Sequence, residues 1–268
     1  MHPGSVFWRT KQMISTRQLA KTYPARTGPV EAVRGIDLTV EEGEIFGLLG
    51  PNGAGKTTTM LMLSTLISPT SGEAHVAGVD LRGNPAEVRR RIGYVPQGGS
   101  SDPEMTARLE LIQQGQWHGK TRSAATARTA EVLDALQLAE VADRKTKTYS
   151  GGQRRRLDIA LGLVRSPRLL FLDEPTTGLD PQSRAYMWDE VRRLRDGGTT
   201  VFLTTHYLDE ADALCDYVDD AAASLPAALK HLEHAGVAVA SAAVRRASLD
   251  DVFLRQTGRS LREPATEN

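Results

Sequence analysis

Gly50-Pro51-Asn52-Gly53-Ala54-Gly55-Lys56-Thr57-Thr58 carries the spacing G-x-x-x-x-G-K-[ST]. Glycines at these places let the backbone curl so that successive N–H groups face an anion. A helix opening at Gly55 adds the partial positive charge of its N-terminus. Lys56 is spaced to reach the outer phosphates of a nucleotide, and Thr57 to offer its hydroxyl oxygen to Mg²⁺. A second chemical feature is Leu169-Leu170-Phe171-Leu172-Asp173-Glu174, an apolar run ending in two carboxylates. Such a pair on its own reads equally well as a solvated turn after a core strand. With Lys56 in the same chain, Asp173 suits holding Mg²⁺ through water, and Glu174 suits orienting and deprotonating an attacking water.

These groups need a scaffold that gathers them. Short strands read at Ile14–Leu19, Ala32–Val40 and Glu44–Leu49, with a loop over Lys21–Glu31. A helix pattern runs from Gly55 to Leu66 and stops at Ser68-Pro69. Glu73–Val76 and Ile92–Pro96 read as strands around a short helix at Pro85–Arg91. From Pro103 to Leu138 strand signals vanish and apolar residues recur at helical spacing, which predicts a helical insert. A helix follows Gly151, a buried strand covers Leu169–Leu172, and a helix runs from Pro181 to Arg195 ahead of Gly197-Gly198. Thr199–Thr204 reads as a strand and Tyr207–Leu214 as a helix. The Ala-rich remainder predicts helix Ala227–His234, strand Val237–Val244 and helix Leu249–Gln256. Alternating strands and helices with apolar strands predict an α/β fold around a mostly parallel sheet. In such a sheet the end of Leu169–Leu172 lies beside the phosphate loop.

The whole-chain numbers are compatible with this. At 268 residues the chain is long enough for a sizeable core, and 33 basic against 33 acidic side chains give zero formal net charge. A neutral balance gives no reason to expect a nucleic-acid partner. Cys215 is the lone cysteine, so an internal disulfide is excluded and a reducing compartment is expected. No apolar run approaches a membrane span, and the opening residues lack the pattern of a secretory leader.

Tyr149-Ser150-Gly151-Gly152-Gln153-Arg154-Arg155, just upstream of Asp173, resembles the signature of the ATP-binding subunits of ABC transporters. The resemblance covers about Ile14 to Asp216. It implies a P-loop NTPase core with a mostly parallel sheet, an antiparallel β subdomain and a helical subdomain at about residues 99–165. The expected divisions are a tail over 1–13, an ATPase domain over 14–218, an abbreviated C-terminal α/β extension over 219–257 and a tail over 258–268.

In that family two domains pack head to tail, each ATP lying between one chain's phosphate loop and the other's signature. Carried over, Ser150 and Gly152 would contact the γ-phosphate of the partner's ATP, Gly151 and Gln153 would belong to the same nucleotide site, and Asp180 of Thr177-Gly178-Leu179-Asp180 would cross the interface. Ser150 also reads as a plain helix cap, and Asp180 as a cap before Pro181. Tyr23 matches the adenine-stacking aromatic, Gln97 the glutamine that senses Mg²⁺ and water, and His206 the switch histidine near the γ-phosphate. The arginine run Arg154–Arg156 reads as a solvated helix face or a coupling element.

Together with Val244-Arg245-Arg246-Ala247-Ser248-Leu249-Asp250-Asp251-Val252-Phe253-Leu254, the signature region is similar to drug-resistance exporters of the daunorubicin/doxorubicin type. This implies ATP and Mg²⁺ as ligands, a second copy and a separate permease as partners, and a peripheral place on the cytoplasmic face of a bacterial membrane. A soluble ABC ATPase without transport and a non-hydrolysing nucleotide sensor share much of the motif set. The sequence departs from the family after Asp216, where a piece between Asp219 and Pro226 is expected to be missing.

Overall fold

The computed structural model describes residues 12–26 and 28–220. Two five-stranded sheets form the frame. The antiparallel sheet is built from β1 (Gln12–Tyr23), β2 (Val30–Ile36), β3 (Thr39–Glu41), β5 (Ser71–Val76) and β6 (Val79–Asp80). Its order is β2-β1-β5-β6, with β3 also on β1. The other sheet is built from β4 (Ile45–Leu49), β7 (Ile92–Val95), β8 (Leu169–Asp173), β9 (Thr200–Thr205) and β10 (Tyr217–Asp220). It runs β10-β4-β9-β8-β7, and every pairing is parallel. Among the described residues there are seven α-helices, α1 (Lys56–Leu63), α2 (Pro85–Arg91), α3 (Ala107–Trp117), α4 (Arg122–Ala135), α5 (Gly151–Leu163), α6 (Pro181–Asp196) and α7 (Leu208–Leu214), and two 3-10 turns at Ala139–Val141 and Thr146–Thr148.

The parallel sheet is buried on both faces, which explains its near-continuous apolar strands. Side chains of a strand alternate between faces, so β8 feeds two cores. Leu169 and Phe171 join Phe46, Phe202, Met60 and Leu63 and the inner face of the antiparallel sheet. Leu170 and Leu172 join Leu157, Leu161, Val191 and the helical insert. Phe46 stacks on Phe202 at 5.1 Å between ring centroids, and Phe171 tilts against Phe202 at 5.5 Å. Among the described residues no helix is long and apolar enough to cross a membrane.

Several expected boundaries shift. The stretch Ala32–Val40 is two strands, because the chain turns at Asp37, whose carboxylate accepts from the Gln18 backbone N–H and side-chain amide at 2.6 Å each. The loop Lys21–Glu31 is shorter than expected, since β1 continues to Tyr23 and pairs it with Val30. The N-terminal tail expected to reach residue 13 gives way to β1 from Gln12, with Met13 and Ile14 already in the core. A division at 218 falls inside β10, whose Tyr217 pairs with Phe46 and whose Asp219 pairs with Leu48. The expected elements at Ala227–His234, Val237–Val244 and Leu249–Gln256 lie outside the described residues, as does most of the segment expected to be shortened.

Candidate active site

Strand β4 delivers the chain into the glycine loop, and α1 takes it out. Gly55 sits at φ 87° as the cap of α1. A Cβ there would lie 2.5 Å from the Ala32 carbonyl oxygen, so only glycine fits both the angle and the approach. The Lys56 ammonium is buried under the loop and donates to the Gly50 and Pro51 carbonyls at 2.8 and 3.1 Å. Its Nζ also lies 3.5 Å from Glu174 Oε1, which ties the loop to the end of β8. A cavity of about 300 Å³ opens here, lined among others by Asn52, Gly53, Lys56, Thr57, Gln97 and Glu174.

The two carboxylates are held differently. Asp173 Oδ1 accepts from Thr204 Oγ1 at 2.6 Å and from Thr57 Oγ1 at 3.3 Å. Glu174 has φ 43°, a left-handed backbone that costs a non-glycine residue about 1–3 kcal/mol. Its backbone N–H donates to Thr204 Oγ1 at 3.0 Å. Its Oε2 accepts from Gln97 Nε2 at 2.8 Å and Thr177 Oγ1 at 3.1 Å, and His206 Nδ1 lies 3.3 Å away. Burial, and then the negative charge of Asp173, push the Tyr94 phenol up to about 12.

Thr57 lines the cavity and its hydroxyl lies 3.3 Å from the Asp173 carboxylate behind it, a hard-oxygen pair that fits Mg²⁺. Among the described residues no cluster of three or more His, Cys, Asp or Glu offers a metal cage. Magnesium fits such a sparse set because it shares its shell with phosphates and water.

A protein-family profile described as "ABC transporter" matches residues 33–177. The chain belongs to the ABC transporter family. The daunorubicin/doxorubicin resistance ATP-binding protein DrrA of Streptomyces peucetius is 51% identical over 205 residues, covering 76% of this chain and 61% of the relative. The linearmycin resistance ATP-binding protein LnrL of Bacillus subtilis is 41% identical over 206 residues, covering 77% of this chain and 65% of the relative. The chain thus spans less than two thirds of the length of these curated relatives. A solved dimeric ATP-binding cassette in a post-hydrolysis state, bound to ADP and Pi, matches at TM-score 0.70 and 25% identity over 78% of this chain and 95% of that one.

The remaining residues of the ABC motif set sit on another surface. Ser150 caps α5, accepting from the Gln153 N–H at 3.2 Å, while Gln153 Oε1 accepts from the Ser150 N–H at 3.0 Å. That reciprocal cap uses the serine oxygen as an acceptor and leaves its O–H available as a donor. Asp180 caps α6 by accepting from the Ser183 N–H at 2.9 Å and from Ser183 Oγ at 2.6 Å. The Cβ position of Gly152 is 3.4 Å from that same Ser183 Oγ. Ser150, Gly151, Gly152, Gln153 and Asp180 therefore cluster around the start of α6, and none of them lines the phosphate-loop cavity. Tyr23, at the end of β1, is 37% exposed under the Lys21 ammonium and is likewise absent from the lining.

The motifs do not include Thr204, whose hydroxyl links Asp173 to the Glu174 backbone, and they give Thr177, which holds the Glu174 carboxylate, no role beyond opening the run to Asp180. Their signal was a pair of threonines ending a buried strand, and a hydroxyl three residues after Glu174. The solvated face expected for Arg154–Arg156 holds only for Arg154. Arg155 is buried, and Arg156 lies 5.0 Å from the Tyr186 ring centre and donates to the Leu136 carbonyl. The reason is periodicity: Arg155 shares the inward face of α5 with Asp158, Ile159 and Gly162.

Proposed function

We propose that this chain hydrolyses ATP as the nucleotide-binding subunit of an ABC exporter of drugs or other hydrophobic compounds. The observation that carries the chemistry is the convergence of Gln97, Thr177 and His206 on one Glu174 oxygen, beside Lys56. A water placed between Glu174 and the γ-phosphate would meet a carboxylate already fixed in direction. Preorganisation of this kind lowers a barrier without reorganisation at the moment of reaction.

In this reading, backbone N–H groups of Gly53 to Thr57 hold the β- and γ-phosphates, and Lys56 turns from the loop carbonyls toward them. Thr57 and Asp173, with Gln97, hold Mg²⁺, which when bound neutralises charge on the phosphate oxygens. Glu174 accepts the proton of the attacking water, and His206 steadies the γ-phosphate side. Ser150, Gly151, Gly152, Gln153 and Asp180 complete the site of a second copy packed head to tail. Their clustering away from the chain's own cavity supports that arrangement. Tyr23 stacks on the adenine.

The transport role rests on the likeness to the drug-resistance relatives. A separate permease partner and a peripheral place on the cytoplasmic side of a membrane follow from the same likeness. Phosphate release by the wild type and Glu174→Gln tests the enzyme reading. Loss of all but a trace of release in the variant, with ATP binding retained, is expected. Equal background release from both proteins would overturn it. Drug-stimulated ATPase activity of the complex with its co-purifying permease tests the export reading.

A further inference from the structure

Arg155 is a buried arginine without a carboxylate partner at bonding distance; instead it donates to three backbone carbonyls. Nη2 reaches the Asp173 carbonyl at 3.0 Å and Nε the Pro175 carbonyl at 2.9 Å. These carbonyls flank Glu174, the residue in a left-handed backbone. Nη1 reaches the Pro96 carbonyl at 2.7 Å, immediately before Gln97. One planar group thus pins the peptides around both ends of the Gln97–Glu174 hydrogen bond. A guanidinium suits the task because its donors form a rigid fork, whereas an ammonium is a point.

One turn further along α5, Asp158 holds the other end of the Gln97 loop. Its Oδ1 accepts from the Ser100 and Ser101 N–H groups at 2.8 and 3.2 Å. Gly99, just before them, has φ 76°, and a Cβ there would lie 2.7 Å from Asp158 Oδ2. The loop bearing Gln97 is therefore anchored at both ends to one helix face, by groups three residues apart. Burial alone would make so polar a pair costly, and burial indeed draws the Arg155 guanidinium down from its ordinary range.

We propose that Arg155 and Asp158 are positioning residues that clamp the Gln97 loop and the Glu174 peptide, setting the water-orienting geometry while leaving nucleotide binding to the phosphate loop. The inference rests on the hydrolytic reading of the same site. It assigns a job that touches no substrate to Asp158 and to Arg155, the last residue of the signature stretch.

The test uses the full chain and four variants: Arg155→Lys, Arg155→Gln, Asp158→Asn and Asp158→Ala. For Arg155→Lys and Arg155→Gln, kcat should fall about 10- to 100-fold, the scale of a misplacement near 1 Å, while KM for ATP stays within about 2-fold. Asp158→Asn keeps an acceptor oxygen and should stay within about 3-fold of wild type, while Asp158→Ala should lose about 10-fold. A merely structural role would move stability in both Asp158 variants without that split.

Hydrogen–deuterium exchange over residues 96–101, in the nucleotide-free chain, reads the clamp independently of turnover. Faster exchange at Ser100 and Ser101 in Asp158→Ala, but not in Asp158→Asn, is the expected result. An inactive wild type with this exchange pattern would overturn the hydrolytic reading and keep the clamp. Unchanged exchange, or unchanged kcat in an active protein carrying Arg155→Gln, would overturn the clamp. If the Arg155 variants fail to fold, the Asp158 pair still decides it.

Discussion

Thr204→Val isolates one hydroxyl at the centre of the site. The side chain is fully buried, so valine keeps its shape and strand preference while removing a donor and an acceptor. The donor serves Asp173 Oδ1 at 2.6 Å, and the acceptor serves the Glu174 N–H at 3.0 Å. A hydrogen bond to a charged group contributes about 1.5–3 kcal/mol and a neutral one about 1 kcal/mol. The added methyl returns about 0.8 kcal/mol through burial. The net loss is therefore about 2–3 kcal/mol, or roughly a 1–2 M fall in the urea midpoint at typical slopes. Thr204→Ser keeps the hydroxyl and should lose only about 1 kcal/mol, for the missing methylene. Urea unfolding followed by circular dichroism measures both, and a Mg²⁺ titration of ATPase activity should show a higher requirement in the valine variant alone. A valine variant with the wild-type midpoint, or a serine variant as unstable as the valine, would refute the role given to this hydroxyl.

Gly55→Ala places a methyl 2.5 Å from the Ala32 carbonyl at a φ of 87°, so nucleotide binding should fall below detection by fluorescent-nucleotide titration. Glu210 is buried where Thr176 Oγ1 and Trp188 Nε1 donate to it, and burial raises its carboxyl above the ordinary 4.5. The folded chain then binds this proton more tightly than the unfolded one. Stability from this group is complete below pH 4.5 and drains away as pH rises through the raised value. Glu210→Gln, uncharged throughout, should melt higher than wild type above that window and converge with it below, by calorimetry across pH. Desolvation also drives the thiol of the half-buried Cys215 far up, so a thiol reagent at neutral pH should label it much more slowly in the folded chain than in the urea-unfolded one.

Much of this site could be read from residue order, because its motifs bring their own local physics. The phosphate loop needs only glycines, a lysine and the helix that follows, all within one stretch. The burial of Leu169, Leu170, Phe171 and Leu172 on both faces of the sheet follows from an apolar run too short for a helix. What stayed hidden depends on contacts between distant segments. Nothing near Thr204 in sequence says that its hydroxyl sits between Asp173 and the Glu174 backbone. Arg155 looks like one charge among three, and only the packing of α5 against β7 turns it inward. The split between β2 and β3 depends on Gln18, nineteen residues before the Asp37 carboxylate it binds. The place of β10 in the sheet was hidden because its partner, β4, lies far earlier in the chain.

The central claim is a composite site, with the phosphate loop of one copy completed by the signature of another. Complementation between two disabled chains tests it most directly. Lys56→Ala destroys the loop half and Ser150→Arg destroys the signature half, so each protein alone should release no phosphate above background. Mixed in equal amounts, the two should regain roughly a quarter of wild-type activity, since about half of the pairs are mixed and each holds one intact site of two. A mixture as inactive as its components, beside an active wild type, would contradict the head-to-tail account.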